Sequence, residues 1–271
     1  MTRKFLKWIS RALAIMLALF VCVYLLQNVW AHRHEEFVPN YEMVELTEQS
    51  DYKIIMEQTG LGRPAIEKLM NAGEIGIIRE IQALFFASKK VECDSVFGWF
   101  TRSDQIEKKL SPPMVDLQPG DILITFSTHS IGWRHGHAGL VLDENHILEC
   151  TTLGKRSSIV SVNEWKGYSN YTVLRVFSAS QKEKEEVVAY AKDNLCDRPY
   201  HLSAGFIGDK APLTEESYFG LQCAYLVWYS WQHFGYDLDS DGGRLVTARD
   251  LLESKLLQMV QVYGMDPRTF E

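Results

Sequence analysis

The sequence predicts an α+β protein that begins with a membrane-spanning helix. Three observations lead to this prediction: short alternating apolar runs between 121 and 151, helical apolar spacing on both sides of them, and an apolar run near the amino terminus. The 271 residues allow one core domain and an extension. We divide the chain into a membrane anchor at 1–31, a polar stalk at 32–50, a helical extension at 51–115, and a core domain at 116–271 whose antiparallel sheet packs against helices.

The amino-terminal segment carries the charge pattern of a membrane anchor. Its cations are Arg3, Lys4, Lys7 and Arg11. The uninterrupted apolar run at 12–26 is shorter than the roughly 20 residues that span a bilayer, but apolar neighbours extend it. Trp8 and Trp30 would lie about 33 Å apart along a helix, the spacing of two interfacial aromatic belts. The positive end stays in the cytoplasm, so a single-pass membrane protein with its core domain outside is expected.

A cleaved secretory signal is the alternative, because Val29-Trp30-Ala31 resembles a small-residue cleavage site. Both interpretations place the core domain outside the cytoplasm. The net charge of −7 and the absence of a basic stripe argue against nucleic acid as a partner.

We expect no metal and no cofactor. The five cysteines form no CxxC pair and no disulfide framework, and no phosphate-cradling glycine loop occurs. A site at His32 and His34 is disfavoured. Asp237, Asp239 and Asp241 resemble the start of a calcium loop, but its twelfth position is Ala248, so an acidic turn is predicted instead.

Residues 51–90 have the apolar spacing of a helical pair. Pro64 suits a first helical residue and Gly73 a helix stop. We expect this extension to pack on the core domain or to cover part of its cleft; a partner-binding helix is the alternative. Another amphipathic helix is predicted at 182–194.

Three strands are predicted at 121–126, 137–143 and 146–151, and the last two form a hairpin. Glu149 lies on the same face as His137 only if the hairpin loop has an odd number of residues, such as 143–145. The apolar pattern favours that loop. An acid beside His137 would hold its imidazole in one tautomer and support the protonated form.

A helix is predicted at 223–234, ending before Gly235, with Cys223 as its first residue. The free N–H groups and positive dipole of a helix start favour a thiolate there. No Ser, Thr, Asp or Asn precedes Cys223 to cap those groups, so we expect them to be available. Cysteine with histidine is the minimal machinery for thiolate catalysis, the alternative being a buried structural cysteine. The other four cysteines are predicted to be structural.

Several short motifs occur together between 117 and 255. They are Gly120-Asp121-Ile122, His137-Ala138-Gly139-Leu140, Leu148-Glu149-Cys150, Arg198-Pro199-Tyr200 and Gln222-Cys223-Ala224-Tyr225-Leu226-Val227-Trp228. Their order resembles that of permuted papain-like cysteine hydrolases of the NlpC type, especially the YiiX-like branch. The sequence departs from that pattern at Ala224, where Ser is usual, and at Asp197, where Gly is common.

The resemblance implies a circularly permuted papain-like fold. It implies Cys223 as nucleophile, His137 as general base and Glu149 as the partner that orients the histidine. Tyr200, His135 and Gln222 are the expected substrate contacts. Three functions follow as alternatives: a thiol hydrolase cleaving amide bonds in peptides or cell-wall material, an acyltransferase on lipid or amine acceptors, and a non-catalytic binding module.

Overall fold

The computed structural model describes residues 3–30, 37–94, 101–130, 133–202, 204, 210 and 220–270. Within these residues the chain forms helices and two antiparallel sheets, which confirms the α+β class. The helices are α1 (Arg3–Trp30), α2 (Tyr52–Thr59), α3 (Arg63–Asn71), α4 (Ile75–Phe86), α5 (Val162–Trp165), α6 (Gln181–Leu195), α7 (Cys223–Gln232) and α8 (Ala248–Leu252).

The strands divide between a small sheet and a large one. In chain order they are β1 (Glu92–Asp94), β2 (Thr101–Gln105), β3 (Ile122–Thr125), β4 (Thr128–Ser130), β5 (His137–Val141), β6 (His146–Glu149), β7 (Ser158–Ser161), β8 (Tyr171–Val176) and β9 (Leu257–Tyr263). The small sheet has the order β1-β2-β4 and the large one β7-β6-β5-β3-β8-β9. Helix α7 packs against both β5 and α6.

Helix α1 has the length and composition of a membrane span. Its segment Lys7–Leu26 contains 20 residues with a mean hydropathy of 2.4, and none of that segment is buried. A segment of this kind can cross a bilayer or serve as a signal sequence.

The helical extension contains three helices rather than the expected pair. Helix α2 ends before Gly60, whose φ of 72° lies in the left-handed region that favours glycine, and α3 begins three residues later. There the backbone pairs with β9: the N–H of Val262 donates to the Gly60 carbonyl at 2.7 Å, and that of Gly62 donates to the Val260 carbonyl at 2.8 Å. A Cβ on Gly60 would lie 2.0 Å from the Val262 oxygen. The extension therefore packs on the core domain along β9.

Part of the expected stalk also lies against the folded core. The N–H of Phe37 donates to the Gly264 carbonyl at 3.1 Å, and Leu46 is buried. Residues 31–36, which include His32 and His34, lie outside the described residues.

The hairpin of β5 and β6 has the predicted three-residue loop. Leu142 pairs with His146 through its N–H at 2.8 Å, so residues 143–145 form the loop. The register pairs Gly139 with Glu149, which puts Glu149 on the face of the sheet that carries His137. The odd-loop prediction is confirmed.

The Gly120-Asp121-Ile122 motif has a structural role in this fold. Asp121 is buried, and its Oδ2 forms an ion pair at 2.7 Å with Arg175 of β8. Burial raises the pKa of Asp121, and the arginine counteracts that effect. Since an unpaired buried carboxylate would be strongly destabilising, this pair fixes the start of β3 against β8.

Candidate active site

Cys223 is the first residue of α7, as the sequence predicts. Gln222 before it is extended, with φ −114° and ψ 166°, and its side chain turns back onto the helix start. Gln222 Oε1 accepts a hydrogen bond from the N–H of Ala224 at 3.1 Å and lies 3.5 Å from Cys223 Sγ. The expectation that no side chain caps this helix is wrong, because a glutamine takes the place of the usual capping residues.

The Arg198-Pro199-Tyr200 motif is bonded to the segment that enters α7. The N–H of Leu221 donates to the Pro199 carbonyl at 2.9 Å, and the N–H of His201 donates to the Leu221 carbonyl at 2.9 Å. A Cβ on Gly220 would lie 2.0 Å from the Pro199 oxygen, so this approach requires glycine. The pairing holds Tyr200 at the wall of the cleft that contains Cys223.

Asp197, just before this motif, occupies a position suited to glycine. Its φ is 58°, in the left-handed region that aspartate tolerates better than most residues. Its carboxylate pairs with Arg156 at 2.6 Å. Aspartate is therefore compatible with the left-handed backbone at this position.

His137 lies between Glu149 and Cys223 in the interior of the protein. Its Nε2 donates to Glu149 Oε2 at 2.9 Å. A second hydrogen bond joins the ring to the sulfur of Cys223. Because Nε2 is bonded to Glu149, Nδ1 is the nitrogen that remains for the sulfur. With Glu149 on Nε2 and the sulfur on Nδ1, the imidazole would be suited to relay a proton.

Trp165 of α5 completes this arrangement. Its indole Nε1 donates to the same Glu149 oxygen at 3.0 Å, and its ring stacks on His137 with 5.2 Å between centroids and 22° between planes. A Cβ on Gly139 would lie 3.0 Å from the Trp165 ring, so glycine leaves room for the indole. The indole therefore fixes both the carboxylate and the imidazole.

The electrostatics of the pair favour a charged thiolate and a charged imidazolium. Burial acts to lower the pKa of His137, but Glu149 and then Cys223 outweigh it and raise that pKa to about 10. Burial acts to raise the pKa of Cys223, but His137 and the N–H groups of Ala138 and Ala224 bring it below its ordinary value. The Cys223 thiol is thus more readily ionised than an ordinary cysteine.

Cys223 opens into a cleft of about 360 Å³. Tyr200, His135 and Gln222, the three expected substrate contacts, all line it. Burial lowers the pKa of His135, whose Nδ1 donates to the Gly136 carbonyl at 2.8 Å and whose Nε2 accepts from the Ser130 hydroxyl at 3.2 Å. With both nitrogens engaged, His135 is a wall residue rather than a competing base.

The mouth of this cleft is apolar. Three of its lining side chains are large, hydrophobic and about two-thirds exposed: Trp133 at 67%, Leu153 at 64% and Leu202 at 66%. Leu245 and Val246 continue the apolar lining. We call Trp133, Leu153, Leu202 and Leu245 the apolar rim. Exposed apolar groups clustered at a cleft are typical of a binding surface.

Trp165→Phe should lower kcat on the order of tenfold with little change in KM, because the ring stack is kept while one hydrogen bond to a charged carboxylate is lost. Steady-state kinetics measure this. Trp231→Phe is the matched control, since Trp231 is a buried tryptophan whose Nε1 donates to the Gly120 carbonyl at 3.2 Å. An equal fall in kcat for both variants would assign Trp165 a general structural role only.

A second group of reactive side chains was not expected from the sequence. Cys93, for which the sequence offers no catalytic context, lies with its Sγ 3.8 Å from His129 Nε2. The same Nε2 is 3.3 Å from Asp104 Oδ1. Burial, and then the charge of Asp104, raise the pKa of Cys93, in contrast to that of Cys223.

The acidic segment near residue 240 forms the predicted turn. The Oδ1 atoms of Asp237, Asp239 and Asp241 each accept from the backbone N–H two residues on, at 3.2, 3.4 and 2.7 Å respectively. These local bonds are those of Asx turns.

Comparison with known proteins gives one partial likeness. No protein-family profile matches the chain, and no curated protein matches it. A crystal structure described as the metalloprotein yiiX from Escherichia coli O157:H7, DUF1105, is similar to it at 15% identity. The match covers 53% of this chain and 96% of that one, with a TM-score of 0.40.

Proposed function

We propose that this protein is a thiol hydrolase that cleaves amide bonds, built on a circularly permuted papain-like fold of the NlpC type. The observation that carries the proposal is the placement of His137, which is bonded to Glu149 through Nε2 and also forms a hydrogen bond with the sulfur of Cys223. The chain order, with the histidine on β5 and the cysteine on the later α7, supports the permuted arrangement.

In the proposed reaction the Cys223 thiolate attacks the substrate carbonyl carbon and forms a carbon–sulfur bond. The carbonyl electrons move to oxygen, where a negative charge develops. When the carbon–nitrogen bond breaks, the His137 imidazolium gives its proton to the leaving amine. His137 then takes a proton from water, the hydroxide attacks the thioester, and the thiolate is released with the acid.

The oxyanion would be stabilised by the backbone at the start of α7. The N–H of Cys223 has no acceptor among the described residues, whereas that of Ala224 is already bonded to Gln222. Since Cys223 lines the cleft, its N–H is the donor that we assign to the oxyanion. Tyr200, whose pKa burial raises, stays protonated and supplies a hydroxyl at the cleft wall.

The test is to trap the thioester on the full-length protein in detergent. The substrates would be a peptide anilide, a cell-wall muropeptide and an N-acyl amide, with acid quenching and peptide mass spectrometry. We expect an acyl adduct on Cys223 that hydroxylamine removes. Cys196→Ala serves as control because Cys196 is a partly buried cysteine at the end of α6. No adduct from any substrate, or an adduct that survives Cys223→Ala, would reject the proposal.

An acyltransferase that uses the same residues is the second candidate, and the apolar rim favours it. A long acyl chain would cover the rim side chains, at about 25 cal/mol for each Å² of apolar surface removed from water. Water would then be replaced as acceptor by an amine or a lipid hydroxyl.

A series of N-acyl substrates of increasing chain length tests acyl-chain binding at the rim, and an added amine distinguishes transfer from hydrolysis. If the rim binds an acyl chain, kcat/KM should rise with chain length, and Leu153→Ser with Leu202→Ser should flatten that rise. Phe177→Ser is the control, since Phe177 is an exposed apolar residue outside the cleft lining, 61% exposed. Transfer to an added amine, in competition with hydrolysis, would establish the acyltransferase.

We further propose that α1 anchors the protein in the cell membrane with its catalytic domain outside, the secreted form being the alternative. The cations before residue 12 and the span Lys7–Leu26 support this orientation. Protease added to intact cells or protoplasts should then digest the domain beyond residue 36. Full protection of the domain, with its recovery in the cytosolic fraction, would contradict the proposal and leave the Cys223 chemistry unaffected.

A further inference from the structure

Three potential metal ligands meet on one face of the small sheet, away from Cys223. Cys93 is on β1, Asp104 on β2 and His129 on β4. The register pairs Cys93 with Asp104 and Arg102 with His129. Because paired residues share a face, and residues two apart along a strand do too, these side chains all project to the same side. Asp104 and His129 are buried and Cys93 is partly buried.

The distances exclude a second catalytic relay. A relay needs the acid and the thiol on opposite ring nitrogens, as at His137. At His129 both partners face Nε2, with Cys93 Sγ at 3.8 Å and Asp104 Oδ1 at 3.3 Å. One ring nitrogen cannot pass a proton between two groups that lie on its own side.

The same distances suit a shared metal ion. Zinc binds sulfur at about 2.3 Å and nitrogen or oxygen at about 2.0–2.2 Å with tetrahedral angles. Those bond lengths place a nitrogen and an oxygen ligand about 3.3 Å apart, and a sulfur and a nitrogen ligand about 3.5 Å apart. The three ligand atoms here all lie within 4.8 Å of one another. Little movement is needed to close them around an ion.

Neighbouring arginines hold the ligands in place. Arg134 forms an ion pair with the other carboxylate oxygen, Asp104 Oδ2, at 2.8 Å, which leaves Oδ1 directed at His129. Arg102 donates to the sulfur of Cys93. Partners of this kind orient metal ligands in proteins, and a metal-bound thiolate keeps lone pairs for such a donor.

We propose that Cys93, Asp104 and His129 form a site for a divalent transition-metal ion of the zinc class, separate from Cys223. Binding releases the thiol proton of Cys93 to solvent, and the remaining coordination position is open to water. The ion ties β1 and β2 to β4, and these strands supply Thr101 and Ser130 to the wall of the cleft. Its role is therefore to stabilise that wall rather than to join the reaction.

The arginines make a specific prediction about affinity. The positive charges of Arg102 and Arg134 offset the negative charges of the thiolate and the carboxylate. The two arginines therefore weaken the attraction of a cation to the site while they orient its ligands. Arg102→Gln should therefore tighten metal binding severalfold. If the cluster instead were an arginine-held thiolate or an anion site, the same change would leave metal binding absent.

The experiment titrates metal-free full-length protein in detergent with Co²⁺ and then with Zn²⁺. We expect one equivalent of Co²⁺ to give a thiolate charge-transfer band and visible bands of tetrahedral intensity, and Zn²⁺ to displace it. Cys93→Ser and Asp104→Asn should each remove the charge-transfer band or weaken binding at least tenfold. Cys223→Ala and Cys196→Ser should keep it.

Thermal unfolding with and without Zn²⁺ tests metal binding in variants that are less stable than the unchanged protein. Zn²⁺ should raise the Tm of the unchanged protein and of Cys223→Ala, and not that of Cys93→Ser. A band lost in Cys223→Ala but kept in Cys93→Ser would place the metal at the catalytic cysteine and overturn the proposal. Absence of any Co²⁺ band in the unchanged protein would overturn it as well. Thioester trapping on the metal-free protein tests the function proposed for Cys223 separately from either result.

Discussion

Replacement of Cys223 by alanine is expected to abolish turnover, with a fall in kcat/KM on the order of 10⁴-fold or more. The thiolate is the only group in the proposed mechanism that forms a bond to the substrate, so no other side chain can take its place. Single-turnover kinetics on the best substrate of the trapping panel measure the loss. His137→Ala should cause a loss of similar size, because residues that act as one unit are not additive.

The pH dependence of Cys223 alkylation distinguishes the unchanged protein from His137→Ala. Reaction of Cys223 with iodoacetamide should begin at lower pH than that of an ordinary thiol, because His137 and two backbone N–H groups lower its pKa, and it should stay high as the pH rises. In His137→Ala the influence that remains on the thiol is mainly burial, which raises its pKa. Alkylation at pH 6 should then fall at least roughly tenfold, since each pKa unit changes the thiolate fraction tenfold.

Cys196→Ala is again the matched control, and it should leave both turnover and the alkylation profile unchanged. A His137→Ala protein that keeps the low-pH alkylation would show that the helix start alone ionises Cys223. Full turnover in Cys223→Ala would move the nucleophile elsewhere, whereas no turnover by the unchanged protein on any substrate would favour the non-catalytic binding module.

Glu149→Gln should lower kcat/KM on the order of 10²-fold, less than the loss of the nucleophile. The amide oxygen of glutamine can still accept from His137 Nε2 and Trp165 Nε1, so the ring keeps its tautomer and orientation. What is lost is the negative charge. Burial then acts on His137 with less opposition, and its pKa falls from about 10.

The lower His137 pKa in Glu149→Gln should shift the pH–rate profile in one direction only. The active form needs His137 protonated and Cys223 ionised, so the alkaline limb of the pH–rate profile should move to lower pH in Glu149→Gln. Glu164→Gln is the control, because Glu164 is an exposed carboxylate that pairs with Lys108 at 2.9 Å. An unchanged alkaline limb would show that Glu149 does not support the charge of His137.

The sequence was sufficient to predict the parts of the site that depend on local periodicity. The odd number of residues in the hairpin loop puts Glu149 on the same face of the sheet as His137, because side chains alternate along a strand. Cys223 at the start of α7 followed from the helical spacing after it and from Gly235. These inferences need only a few neighbouring residues each.

The remaining parts depend on contacts between distant segments. Trp165 reaches Glu149 only because β7 and α5 fold back over the hairpin, and no spacing in the sequence marks that contact. Gln222 caps α7 although glutamine is not among the residues that usually do so. Cys93 meets His129 in a sheet whose outer strands have three residues each, too short to show a period.

The pairing of residues 60–62 with β9 has a consequence for how the protein folds. An unpaired outer strand invites association with other chains, and here the loop between α2 and α3 occupies that edge. Lys68 of α3 adds an ion pair to Asp116 at 2.9 Å, and Asp116 in turn pairs with Arg175 at 2.8 Å. The extension and the large sheet are thus held together by these contacts, and we expect a fragment that starts at residue 116 to expose the backbone groups of β9 and to self-associate.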